Sequence, residues 1–255
     1  MSNKIKVLLG FAIAAIVGTF LLVDPISQPA AYHDFADKRT WLGIPNFWNV
    51  MSNLAYLVPG IMGLHAVQSL RGDKTKFKDP AEVFPLYVVF LGAIFLGFGS
   101  GFYHLFPFNE TLVADRSTMT VGFMGVLAFM VAERMSVKWG VQILPTALAI
   151  GIFSVIYWIY TENMGAGDLR YYGLVQFLPL VFILTLLLWF PPRYSETKYV
   201  WWAFSTYAAA KVFEHFDKDI WNMLGQNVSG HTLKHLVSGV GIYFLVLYVK
   251  RRKAL

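Results

Sequence analysis

Three histidines in two parts of the chain have the spacing of metal ligands. His231 and His235 are four residues apart, so on a helix they share one face, about one turn apart. His104 ends a separate apolar run and has Ser100 one turn before it. Two histidines from one helix and a third from another match the ligands of a catalytic zinc ion. The chain has no cysteine, so any metal must be held by histidines and carboxylates.

Asp115 and Ser100 have the chemistry that would complete such a site for hydrolysis. A zinc ion polarises a carbonyl and lowers the pKa of its bound water to about 7. Asp115 could take the proton as general base and return it to the leaving nitrogen, while Ser100 could donate to the developing oxyanion. In the plainer alternatives, Asp115 caps the start of a helix beside Arg116, and Ser100 only packs between Gly99 and Gly101.

Two other interpretations of the histidines compete with a zinc site. A histidine in a membrane helix often only bonds a backbone carbonyl, and two histidines can hold a haem. A haem would leave the third histidine without a role, together with Ser100 and Asp115. Five polar residues at one depth on three predicted helices favour a metal site.

Composition places these residues in a membrane protein. The 255 residues are 56% hydrophobic and 14% charged, with a mean hydropathy of +0.53. Soluble domains have about 45–50% apolar and about 25% charged residues, so a soluble enzyme and a disordered chain are excluded. The net charge of +6 lies mainly in loops and at the two ends, where it orients a membrane protein, and implies no nucleic-acid partner.

The apolar runs predict an all-α, polytopic transmembrane helix bundle, with a seven-helix core and one extra N-terminal helix. The runs are continuous rather than alternating, which favours helices over a membrane barrel. Residues 1–31 are predicted to be a retained signal-anchor helix and linker, and residues 32–255 a seven-helix membrane domain. The predicted helices lie at about 7–23, 47–67, 84–106, 115–133, 141–160, 171–190, 199–214 and 231–249.

The basic residues predict the orientation of the bundle. Of the 21 Lys and Arg, 14 fall in segments on the side of the N-terminus. Five fall on the opposite side: Lys38, Arg39, Arg116, Arg170 and Lys218. The other two, Lys211 and Lys234, lie within helices. Because cytoplasmic loops carry the excess of Lys and Arg, both termini are expected in the cytoplasm and the zinc site toward the outer side.

The motifs resemble those of the alkaline ceramidases and of the wider superfamily that includes the adiponectin receptors. They are Ser100-Gly-Phe-Tyr-His104, then Asp115, then His231-Thr-Leu-Lys-His235. The stretch Phe47-Trp-Asn-Val-Met-Ser-Asn-Leu-Ala-Tyr-Leu-Val-Pro59 resembles the ceramidase branch in particular, and the likeness covers roughly residues 32–250.

The resemblance implies a site and a reaction. The site is a zinc ion bound by His104, His231 and His235, with a water held beside Asp115 and the substrate oxygen steadied by Ser100. The reaction is hydrolysis of the N-acyl bond of ceramide, or of a similar lipid amide, to a fatty acid and an amine. The implied partners are this lipid, entering from the bilayer, and the membrane lipids themselves.

The chain departs from the family at an acidic calcium site that precedes the first core helix in eukaryotic members. Asp34 and Asp37 are present, but Arg39 stands where that pattern has an asparagine, and Asn46 where it has a glutamate. Two carboxylates beside an arginine make a weak oxygen cage. Calcium at Asp34, Asp37 and Asn46 is therefore the lesser candidate beside zinc.

Two rival functions share these residues. In a seven-helix receptor the zinc would be structural, and Asp115 could be the fourth ligand of a closed site. In a lipid esterase the same zinc chemistry would cleave an ester. Ser100 has a role with an oxyanion and none in a closed site, which favours hydrolysis.

Several other polar residues near the predicted site have plainer interpretations. Trp48, Asn49, Ser52 and Asn53 open the first core helix. They could support the metal ligands from behind, but the favoured interpretation is an interfacial tryptophan with small polar packing residues. Lys211 and Glu214 are interpreted as an ion pair outside the site.

Overall fold

The computed structural model describes residues 3–255 and has an all-α architecture, with two short 3-10 turns at Ala30–His33 and Pro80–Glu82. The α-helices in chain order are α1 (Asn3–Leu22), α2 (Phe47–Met51), α3 (Leu54–Leu70), α4 (Val83–Leu105), α5 (Asn109–Arg134), α6 (Val137–Asn163), α7 (Arg170–Trp189), α8 (Lys198–His215), α9 (Asp217–Met223) and α10 (Gly230–Arg251).

The predicted helical bundle is confirmed. Seven helical segments, with α2 and α3 counted as one, are long and apolar enough to cross a membrane, as in a multi-pass membrane protein. All eight predicted runs are helical. The run that falls outside the seven is α8, which has 18 residues and carries Lys198, Lys211 and Glu214.

The two main differences from the predicted helix boundaries occur where polar residues occupy helical positions. α5 begins at Asn109 rather than at 115, so only three residues separate it from α4. The predicted first core helix breaks at Ser52 and Asn53. The Asn53 side chain donates to the backbone carbonyl of Asn49 at 2.7 Å and so competes with the helical ladder. The seven-residue helix α9 was not predicted.

Glycines bring the helices that carry the candidate residues close together. A Cβ at Gly239 of α10 would lie 2.3 Å from the backbone oxygen of Ala55 on α3, and one at Gly99 of α4 would lie 2.8 Å from that of Ala114 on α5. Backbones approach this closely only where the side chain is absent. These close approaches hold α10 against α3, and α4 against α5.

Two helices, α8 and α1, each pack mainly against a single neighbouring helix. α8 packs mainly on α10 and has few contacts with its chain neighbour α7. α1 lies against α7, where the Phe20 and Tyr171 ring centroids are 4.6 Å apart and Lys4 donates to the Trp189 carbonyl at 2.7 Å. Leu8 is the buried residue of α1, so most of this helix faces outward, as expected beside lipid.

Candidate metal centre and its cavity

His104, His231 and His235 converge in the interior of the bundle and could hold a metal ion. Their candidate ligand atoms all lie within 4.8 Å of one another, and each residue is at most 6% exposed. His104 Nε2 and His231 Nε2 are 3.2 Å apart. Tetrahedral ligands at the usual zinc–nitrogen distance lie about 3.3 Å from each other, so this separation suits one ion.

The hydrogen bonds of His235 leave one ring nitrogen free for a metal. The Ser52 hydroxyl donates to the Asn49 carbonyl at 3.2 Å and lies 2.7 Å from His235 Nδ1. With its single proton donated to Asn49, the hydroxyl would accept from Nδ1–H, and Nε2 would keep its lone pair. That buried Nε2 has no hydrogen-bond partner. Metal-ligating histidines are usually oriented by such a bond on the second nitrogen.

The contact of Ser52 with His235 favours support of the histidines over the packing interpretation. The sequence signal was its place in a polar turn that opens the first core helix at the predicted depth of the histidines. Asn49 belongs to the same support, because its side-chain oxygen lies 3.2 Å from the Thr232 hydroxyl of α10.

Aromatic rings and a short polar cap enclose the other two histidines. The Phe35 ring lies 4.7 Å from the ring of His104 and 4.6 Å from that of His231, measured between centroids. Asp217 accepts from the His231 backbone N–H at 2.7 Å and so fixes the start of α10. The Phe35 ring thus covers part of both imidazole rings.

Asp115 and Ser100 lie side by side and line one cavity. Both are buried, at 5% and 2% exposure. Asp115 is in the second turn of α5, so the idea that it caps that helix was wrong. Its neighbour Arg116 donates to Gln28 at 2.6 Å and lies over the Trp158 ring. Asp115 is therefore left facing the cavity.

The packing role that was the alternative for Ser100 belongs to the neighbouring residue, Gly99. Gly99 makes the close approach to α5 described above, whereas Ser100 faces the cavity one turn before His104. Its hydroxyl faces the same cavity as Asp115.

The cavity has a volume of about 210 Å³ and an apolar wall from α4, α5, α7, α8 and α10. It extends along α4 from Val89 to Ser100, which on a helix corresponds to about 16 Å. Its polar end lies beside the histidines, where the Tyr56 ring is 5.7 Å from that of His235. The ionisable side chains at this end are those of Asp115, Lys211, Glu214 and Lys234, with Ser100 beside them. A long apolar cavity with polar groups at one end suits a lipid chain with a polar head.

A second pocket, of about 330 Å³, lies beside Tyr32, Phe35, Asp217 and His231. Glu214 lines both this pocket and the apolar cavity. The histidines therefore lie between an apolar space within the bundle and a polar space at its end.

Lys234 is a part of the site that the sequence interpretation missed. Its Nζ lies 3.1 Å from His231 Nε2 and 3.1 Å from Glu214 Oε1, and Lys211 donates to Glu214 Oε2 at 2.6 Å. The Lys211–Glu214 pair is present as expected, but it adjoins the histidines rather than lying apart. The available signal was an ionisable residue between two histidines in an apolar helix.

The three calcium candidates each have a protein partner. Hydrogen bonds from Lys218 and Lys38 lower the pKa of the Asp34 carboxyl to about 2. Asp37 pairs with Arg39 at 2.7 Å, and the Asn46 amide donates to the His104 carbonyl at 2.9 Å. The acidic segment is thus held by the protein's own cations, and Asn46 instead fixes the end of α4.

Replacing Ser52 by alanine should weaken metal binding without unfolding the bundle. The His235 ring would lose the bond that fixes its orientation, and loss of such a support typically costs roughly 10–100-fold in metal affinity. Zinc competition titrations of the purified protein measure this directly. Ser69→Ala, which removes a hydroxyl bonded only to its own helix, is the matched control. Equal zinc affinity in the Ser52→Ala variant and the wild type would show that the Ser52 bond does not hold the ring for metal.

Comparison of the chain with models of protein families gives no match, and no curated protein matches it. Function must therefore be inferred from the histidine cluster, the cavity with Asp115 and Ser100, and the motifs of the sequence.

Proposed function

We propose that the protein is a zinc-dependent intramembrane amidohydrolase that cleaves the N-acyl bond of ceramide or a similar lipid amide. The observation that carries this proposal is a buried three-histidine cluster beside the polar end of a long apolar cavity, where Asp115 and Ser100 face the same space. The family resemblance of these motifs points to the same reaction.

The donor set suits zinc. Three neutral imidazoles are the ligands of several catalytic zinc sites and leave one position open. A bound zinc ion would polarise the amide carbonyl and lower the pKa of a water molecule to about 7. Ser52, 2.7 Å from His235 Nδ1, would orient this ring and leave Nε2, which has no hydrogen-bond partner, free for the ion.

The residues of the chain would divide the remaining work. Asp115 takes a proton from the attacking water at a carboxylate oxygen and delivers it to the amide nitrogen as the C–N bond breaks. Ser100 donates a hydrogen bond to the carbonyl oxygen while negative charge develops on it. The apolar cavity binds the acyl chain and excludes water, and the second pocket gives the polar product a route to solvent.

We also propose that both termini are cytoplasmic and that the site faces the outer side. α10 has the histidines near its first residues and Lys250 and Arg251 at its other end. Lys76 donates to the Arg252 carbonyl, so the basic loop after α3 lies at this second end as well. A cluster of basic residues at one end is typical of the cytoplasmic face.

The proposal predicts zinc content and fatty-acid release in the same purified protein. We expect bound zinc by elemental analysis and release of fatty acid from at least one amide in a panel of ceramides and other N-acyl lipids. A chelator should abolish release, and added zinc should restore it.

Matched esters in the panel separate the alternatives. Release from esters alone would replace the amidohydrolase by an esterase. Bound zinc without turnover of any amide or ester would favour the structural zinc of a receptor.

A further inference from the structure

Two lysines share one carboxylate at the polar end of the apolar cavity. Lys211 and Lys234 each bond a different oxygen of Glu214, at 2.6 Å and 3.1 Å. The Lys234 side chain is 16% exposed and that of Glu214 is 21% exposed, so the group is largely removed from solvent. Charges inside a membrane helix bundle are costly and usually mark a substrate or ion pathway.

The pairing leaves hydrogen-bond donors unused. An ammonium group has three N–H donors. Lys211 and Lys234 each use one of them on Glu214, and Lys234 Nζ lies 3.1 Å from His231 Nε2. A metal ion on that nitrogen would leave this Lys234 donor free. Glu214 carries one negative charge for the two lysines, so the remaining N–H groups can donate to an anion.

The balance of charge around the cavity points the same way. The lysines are matched by two carboxylates on the cavity wall, Glu214 and Asp115. A divalent ion on three neutral histidines would add positive charge to this largely enclosed space. A negatively charged ligand would offset that charge, whereas a neutral one would not.

The position of the lysines selects one side of the substrate. Lys234 Nζ is within 3.1 Å of the metal-ligand nitrogen of His231, so it lies beside the space that the cleaved bond must occupy. The acyl chain occupies the apolar cavity, and Glu214 marks the passage from that cavity to the polar pocket. Both lysines line the polar end of the apolar cavity and not the polar pocket. A group attached to the amide nitrogen that extends toward that pocket must therefore pass the lysines beside Glu214.

We propose that Lys234 and Lys211 bind a carboxylate on the nitrogen side of the amide, so that the preferred substrate class is N-acyl amino acids. This inference deepens the proposed hydrolase function and rests on it for cleavage, although the binding preference can be tested without cleavage. Water adds its oxygen to the acyl carbon, the C–N bond breaks, and the nitrogen gains a proton, which yields a fatty acid and a free amino acid.

The test compares N-lauroylglycine with N-lauroylethanolamine, which share the acyl chain and the amide and differ in the carboxylate. Binding is measured by calorimetry on chelator-treated protein, and cleavage by laurate release from the zinc-loaded protein. A hydrogen bond to a charged group corresponds to a factor of about 10–150 in binding. We therefore expect N-lauroylglycine to be preferred at least about tenfold in both measurements.

Variants show whether the lysines cause this preference. Lys234→Gln should lose it, so that the ratio of N-lauroylglycine binding to N-lauroylethanolamine binding falls toward one, and Lys234→Arg should keep part of it. Lys198→Gln, at the other end of α8 and largely exposed, is the matched control and should behave as wild type.

Each outcome bears on the proposal. Equal handling of the two amides by the wild type, or preference for the neutral one, overturns it even if the variants fail to fold. Lysine-dependent binding of laurate that equals that of N-lauroylglycine would place the carboxylate on the acyl side and also overturns it. A lysine-dependent preference in binding, without cleavage of any amide, supports the anion site and contradicts the hydrolase.

Discussion

Replacing Asp115 by asparagine is expected to lower fatty-acid release by roughly 10²- to 10⁴-fold, the range typical for loss of a general acid–base group. The amide keeps the size of the carboxylate but cannot accept the proton of water. The three histidines are unchanged, so zinc content should stay at the wild-type level. Parallel measurement of bound zinc and of turnover on the best lipid amide checks both parts.

Glu110→Gln is the matched control for this variant. Glu110 is an exposed carboxylate in the first turn of the same helix, and its loss should leave release unchanged. Loss of zinc together with activity in the Asp115→Asn protein would mean that Asp115 is a metal ligand. The site would then be closed by four protein ligands, as in a structural zinc site, and the proposed mechanism would fail.

Replacing His235 by alanine is expected to remove both the bound zinc and the activity. His235 is fully buried and its Nε2 has no hydrogen-bond partner, so the variant loses one of the three candidate ligand atoms. Zinc at a concentration 100 times its Kd stabilises a folded protein by about 2.7 kcal/mol. For a chain of this size, that corresponds to a rise in Tm of roughly 5–10 °C. The wild type should show this rise on adding zinc, and the variant should not.

His65→Ala is the control, because His65 is exposed on α3 and lies outside the histidine cluster. It should bind zinc and gain stability as the wild type does. If the His235→Ala protein retained zinc and the thermal shift, the ion would be bound elsewhere, and the three-histidine centre would be wrong.

The parts of the fold that the sequence could predict are those set by the bilayer. Eight apolar runs near the length of a membrane span lead directly to eight helices, and all eight are present. The starts of helices were less predictable. Residues 109–114 include polar side chains that do not look like part of a membrane span, yet they form the first turns of α5. Hydropathy detects the apolar part of a helix, not its polar ends.

The histidine cluster was predictable because an i, i+4 pair fixes a shared face whatever the rotation of the helix. For Ser52 and Lys234 the sequence carried only a signal of polar type and depth, since their roles depend on contacts across helices. Ser52 reaches His235 from a turn between α2 and α3, and Lys234 reaches Glu214 on α8. Such contacts depend on how α10 is rotated against its neighbours, and spacing along the chain carries no information about that rotation.

The weak packing between α7 and α8 has a practical consequence for experiments on this protein. Both helices line the apolar cavity, through residues such as Pro179 and Phe204, yet they make few contacts with each other. Alkyl chains around the bundle can therefore enter the cavity most easily between these two helices. In micelles those chains are detergent tails, which will compete with any lipid ligand because they bury the same apolar surface. Affinities measured in long-chain detergents will therefore fall as detergent is added, whereas reconstituted bilayers avoid this competitor.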